Sequence, residues 1–69
     1  MDSRDWIDAF SAELGADPPD DATVEALLDI AGVAAHASER TAAPLTCWLI
    51  GRAGLDLDAA RRLADRLAG

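Results

Sequence analysis

Residues 22–38 read ATVEALLDIAGVAAHAS, and the way their apolar residues are spread decides the fold. Placed on a helix of 3.6 residues per turn, Val24, Leu27, Leu28, Ala31, Ala34 and Ala35 share one face. Ile30, Val33, Ala26 and Ala37 extend that face much of the way round. Only a narrow stripe is polar: Glu25, Asp29, His36 and, beyond the segment, Arg40, with Gly32 among them. A helix that is apolar over most of its circumference belongs in the middle of a fold. No stretch of the chain shows the period-two alternation of a half-buried strand.

Working outward, the next segment runs from Pro44, suited to the first position of a helix, to about Ala53, and Gly54 closes it. Leu45, Cys47, Trp48, Leu49, Ile50 and Ala53 make it apolar nearly all round; Thr46 and Arg52 interrupt it. On the N-terminal side, Trp6, Phe10 and Leu14 recur once per turn from Ser3 to Leu14, with Ile7 beside them. Asp2 or Ser3 can cap the start of that helix, and Gly15 its end. The run Ala16-Asp17-Pro18-Pro19-Asp20-Asp21 is a loop, because two prolines forbid helix continuation. The last helix begins at Asp56 or Asp58 and ends at Ala68. Ala60, Leu63, Ala64 and Leu67 face inward, while Asp58, Arg61, Arg62, Asp65 and Arg66 pair along the outside.

These segments predict an all-α fold: a small four-helix bundle-like domain over residues 1–69, with helices two and three central. Leu28 and Trp48 are expected inside.

The chain has 69 residues, so its core is small. A domain of this size buries only about 60% of the surface exposed on unfolding. Sixteen residues are alanine, which favours helix but removes little area from water. A domain this short often needs a staple. One cysteine forbids an internal disulfide, and one cysteine with one histidine forbids the usual tetrahedral zinc site. No metal and no cofactor are therefore expected. A partner is the staple that remains.

The formal charge of -7 is lopsided. Residues 1–30 hold nine acids and one base; residues 31–69 hold four acids and five bases. An acidic chain is repelled by phosphate backbones, so nucleic acid is a disfavoured partner. Helices three and four loosely resemble a helix-turn-helix with Arg61, Arg62 and Arg66 on its second helix, but Asp58 and Asp65 offset those arginines. The N-terminus lacks a basic region followed by an apolar run, and no apolar stretch approaches the roughly 20 residues of a membrane span, which makes the cytoplasm the expected location.

Chemistry-bearing constellations are sparse. The carboxylates lie on helix exteriors or in the proline loop, and nothing in their spacing suggests the burial that acid–base catalysis would need. The loop lacks the spacing and central glycine of a calcium-binding EF-hand. Cys47 sits in an apolar helix and behaves as a small hydrophobe. No serine stands at the start of the second helix, as an acyl carrier protein would require. The chain is therefore expected not to be an enzyme. The best local constellation joins helices two and three: His36 and Arg40, one turn apart, beside Thr46 and the start of helix three. Free N–H groups and the positive dipole end there suit an anion. The competing reading has His36 and Arg40 offsetting the negative end of helix two.

Several stretches carry a resemblance. Trp6, Leu27-Leu28-Asp29-Ile30-Ala31, Val33-Ala34-Ala35-His36, Arg40-Thr41-Ala42-Ala43-Pro44-Leu45-Thr46 and Leu49-Ile50-Gly51 together resemble a small actinobacterial helical domain family of unknown function. Its members occur alone or C-terminal to proteins similar to the molybdenum cofactor guanylyltransferase. This chain departs from the pattern at Thr41, where proline is usual, and at Cys47-Trp48, where a Thr-Phe pair is usual. The resemblance implies an accessory or protein-interaction module linked to the making of molybdopterin guanine dinucleotide. The alternative is a stand-alone homodimeric helical protein with a regulatory or DNA-associated role.

Supply and demand of apolar surface point to association. Two helices apolar nearly all round cannot both be covered by two thin amphipathic ones. Ile30, Val33 and Ile50 are the residues expected to face outward and form an interaction patch. A second copy of the chain or a nucleotidyltransferase-like protein is the expected partner.

Overall fold

The structure is a computed structural model that describes residues 1–69. It contains four helices and no strand: α1 (Ser3–Leu14), α2 (Asp21–Ala37), α3 (Ala42–Ala53) and α4 (Leu57–Ala68). The fold is all-α, with the helices in the expected order. No helix is long and apolar enough to cross a membrane.

Local chemistry sets most of the boundaries. Asp2, Asp20 and Asp56 each precede a helix and accept a hydrogen bond from a backbone N–H of its first turn: Asp5 at 2.8 Å, Thr23 at 2.8 Å and Ala59 at 3.1 Å. Each carboxylate satisfies a donor that the helix itself leaves free. Gly15 and Gly54 end α1 and α3 in the left-handed conformation, at φ 71° and 64°. That geometry lets Ala16 donate to the Ser11 carbonyl and Leu55 to the Ile50 carbonyl, which closes the helix end. α3 starts at Ala42, two residues before the expected Pro44. Proline then lies in the third helical position, still within the first turn, where its missing N–H costs nothing.

The arrangement around α2 differs from the expectation in three respects. First, α2 alone is central. α3 and α4 each pack along it, and no other pair of helices packs to a comparable extent. α3 is not an inner helix: Leu45, Trp48 and Leu49 lie on its exposed side. Second, Leu28 and Trp48 face solvent, at 68% and 63% exposure, against the expectation that both are buried. Third, two of the three residues expected to form an outward patch are core, and the other is partly covered. Ile30 is 1% exposed, Ile50 is buried and Val33 is partly buried. The reason is common to all three. The apolar arc of α2 is wider than two helices can cover. α3 and α4 occupy the side marked by Ala26 and Ile30, where small residues (Ala26 on α2, Ala60 on α4) allow close approach. Ile30, Ile50 and Ala60 form the resulting core, with Leu57 and Ala64 against it. The opposite side of α2, with Leu28, is left open.

α1 stands apart from this unit. Its one buried residue is Ser11. Trp6 and Phe10 contact each other, ring centroids 6.1 Å apart, and both are more than half exposed. An exposed ion pair at 2.5 Å, Arg4 with Asp21, ties α1 to the start of α2. A second pair joins Arg61 of α4 to Asp29 of α2, so Arg61 reaches across helices instead of pairing along α4.

The outcome is a large surface. A folded 7.2 kDa monomer exposes about 4,100 Å². This chain exposes 5433 Å², an excess of about 1,300 Å² over that scaling.

Candidate functional site

The segment between α2 and α3 is the sequence's candidate for holding an anion, on the premise that His36 and Arg40 share a helix face. α2 ends at Ala37, and Ser38 leaves the helix at φ -136° and ψ -107°, so Arg40 lies beyond it. The three residues His36, Arg40 and Thr46 line no common cleft. His36 is exposed and borders a shallow cleft with Val33, Ala37, Asp65, Ala68 and Gly69. Thr46 lines a different groove, between α3 and α4. Arg40 borders neither. The start of α3 is also short of donors. The Ala42 N–H is taken by the Glu39 carbonyl at 2.9 Å and the Ala43 N–H by the Arg40 carbonyl at 3.2 Å, and Pro44 has none. Asp65 lines the cleft beside His36, where its charge opposes an anion.

The largest concavity, about 470 Å³, lies between α1 and the proline loop. Asp8, Asp20 and Asp21 line it with Arg4, Pro18 and Pro19. Two of these three carboxylates are already engaged. Asp20 accepts from the Thr23 backbone N–H and interacts with the Thr23 side chain. Those bonds favour its charged form and hold its pKa below the usual aspartate range. Asp21 accepts a hydrogen bond from Arg4, and that bond, with the charge behind it, raises the pKa of the guanidinium. The cleft is a solvated joint whose charges serve capping and tethering.

The features that stand out chemically are apolar. Between α3 and α4 runs a groove of about 360 Å³ lined by Thr46, Leu49, Ile50, Ala53, Leu55, Ala60, Leu63, Ala64 and Leu67. Ile50 and Ala60 form its floor, as part of the core, and Leu49, Leu63 and Leu67 are exposed along it. On α3, Leu45 and Trp48 project from the side opposite Ile50, with Arg52 between them on the helical wheel. On α1, Trp6, Phe10 and Leu14 form an exposed stripe. Side chains of this size are the usual anchors of protein interfaces.

The apolar pattern of the sequence points to Ile30, Val33 and Ile50 as outward residues, whereas Leu45, Trp48, Leu63 and Leu67 are the ones left exposed. The usable signal lies in α4. Its small residues Ala60 and Ala64 suit close packing on α2, which turns Leu63 and Leu67 aside into the groove. On α1 the signal is the size of the stripe, since two aromatic rings and a leucine demand a broad apolar receptor.

The chain belongs to the family described as Domain of unknown function (DUF6457), which matches it over residues 1–69. No curated protein and no solved structure matches it.

Proposed function

We propose that this chain is a non-catalytic interaction module and that α3 presents its docking face. The observation that carries the reading is the exposure of Trp48 and Leu45, with Arg52 between them, on a chain whose surface exceeds that of a folded monomer of its mass. Tryptophan and arginine are over-represented among residues that dominate binding energy, and large exposed apolar patches mark partner sites. Leaving an indole on the outer side of a helix has no benefit for the chain by itself.

The proposed partner is a nucleotidyltransferase-like protein acting in molybdenum cofactor maturation. The support is the resemblance, carried by Leu27–Gly51, to domains that occur C-terminal to guanylyltransferase-like proteins. In this reading the partner performs the chemistry and the helical module sets its placement or stability. The alternative, a regulatory or DNA-associated protein, has less support. Of the three arginines on α4 that would read a groove, Arg61 is committed to Asp29.

The test is calorimetric titration of the full chain into a purified guanylyltransferase-like protein, wild type against Trp48→Ala. Binding by the wild type, and affinity lower by about tenfold or more for the variant, is the expected result. Absence of binding by the wild type rejects the partner; equal binding by the variant rejects the face.

A further inference from the structure

We infer that the groove between α3 and α4 receives α1 of a second copy of this chain, in a reciprocal exchange that closes a two-fold dimer. This goes beyond the docking reading and uses different residues. The chain contains both halves of the contact, and neither is satisfied within it. The groove holds no residue of α1, α1 packs extensively on no other helix, and Trp6, Phe10 and Leu14 are each more than half exposed. The Arg4–Asp21 pair and the stiff Pro18-Pro19 loop hold α1 at the start of α2.

Charge selects the pairing. Residues 1–14 hold four acids and one arginine, a net charge of -3. Residues 42–69 hold four arginines and three acids, a net charge of +1. Packing α1 against α1 of another copy would oppose two negative surfaces, whereas the groove offers positive ones. Arg62 and Arg66, on the outside of α4 beside Leu63, have no ion-pair partner in their own chain. Glu13 sits beside Trp6 on the wheel of α1 and faces such a rim.

Area agrees. A standard interface takes about 800 Å² from each partner, and the excess surface here is about 1,300 Å². Because helix and groove are different surfaces, a single contact would leave the other pair open and propagate a chain of copies. Reciprocal exchange satisfies both at once and closes the assembly.

The experiment is sedimentation equilibrium at micromolar concentration on the wild type, on Phe10→Asp and on Leu63→Asp, with circular dichroism as the check on folding. Both substituted side chains are exposed in the single chain, so each variant retains its helicity. The wild type should have twice the 7.2 kDa chain mass. Each variant alone spoils both contacts of the dimer and should dissociate at least about tenfold more readily. An equimolar mixture of the two variants should recover dimer, because one of its two contacts then pairs an intact helix with an intact groove. A monomeric or open-ended wild type, undiminished dimer in either folded variant, or a mixture no more associated than its components overturns the inference. If both substitutions unfold the chain, Trp6→Ser and Leu67→Ser repeat the comparison with the same outcomes required. No nucleotidyltransferase is present in the assay, so its failure leaves the docking reading of α3 untouched.

Discussion

α1 and the unit formed by α2, α3 and α4 obey the same local rules and reach different ends. Both begin helices at an aspartate that accepts an amide hydrogen bond, and both use a left-handed glycine as a stop. In the three-helix unit those helices share Ile30, Ile50 and Ala60, so that each supports the others. α1 has its caps, one exposed ion pair and a stripe of large side chains that is mostly exposed. The difference separates two jobs that sequence pattern alone conflates. Amphipathicity makes a helix; it does not say whether the apolar side meets its own chain or another. A side chain as large as Trp6 in a stripe is a demand for a receptor, and the receptor need not be intramolecular.

Substitutions should reveal the contrast directly. The largest effect belongs to the shared core. Ile30→Ala removes the most buried side chain and should cost about 2–5 kcal/mol, comparable with the whole stability of a chain this size. Thermal unfolding followed by far-ultraviolet circular dichroism should show a lost or strongly lowered transition. Were Phe10→Ala, compared at concentrations too low for association, to cost as much, α1 would be part of the core and the contrast would collapse.

Caps give a smaller and sharper version. Asp56→Ala removes the cap of a helix that packs on α2 and should lower global stability by about 1 kcal/mol in denaturant unfolding. Asp2→Ala removes the equivalent cap from α1. It should fray α1, seen as faster amide exchange over Ser3–Leu14, and leave the unfolding midpoint of the remainder in place. Equal losses from the two substitutions would mean that the four helices unfold as one unit.

The legible part of the fold is local for this reason. Aspartate, glycine and proline act on their own neighbours, so Gly15, the Pro18-Pro19 loop and Gly54 can be read from position alone, and the caps of α1 and α4 to within two candidates, Asp2 or Ser3 and Asp56 or Asp58, of which the structure uses Asp2 and Asp56. The choice of which side of α2 is covered cannot, because Val24, Leu27, Leu28, Ile30 and Val33 offer apolar atoms in nearly every direction. In sequence, the core residues Ile30 and Ile50 are therefore indistinguishable from a patch. The shared helix face expected of His36 and Arg40 fails for want of a stop signal: no glycine marks the end of α2 at Ala37, and the helical periodicity runs on in sequence to Arg40. The apolar surface left exposed follows from what remains after packing, and packing is a property of α2, α3 and α4 together.

Acid should act at the joint between the two regions. Hydrogen bonding from Thr23 lowers the pKa of Asp20 in the folded chain, so its contribution is fully present above the ordinary aspartate pKa of about 3.9. It is lost as pH falls through the lowered folded value. The start of α2 should therefore fray on acidification below that range, seen as shifts of the Thr23 amide resonance. Asp20→Asn should lack this component of the titration. The smallest effect is expected from Arg4→Gln, which releases the exposed tether. It should speed exchange in α1 and leave thermal stability unchanged, since fully solvated ion pairs contribute little to a fold.

The exposure of both indoles has an optical consequence. The chain has no tyrosine and two tryptophans, one on α1 and one on α3, so nearly all of its near-ultraviolet emission comes from two water-facing reporters at known places. Trp48→Phe leaves Trp6 alone to signal what happens to the first helix, and Trp6→Phe leaves Trp48 to signal the third. An emission that moves to shorter wavelength in one variant and stays fixed in the other would identify, without any label, which of the two surfaces has just been covered.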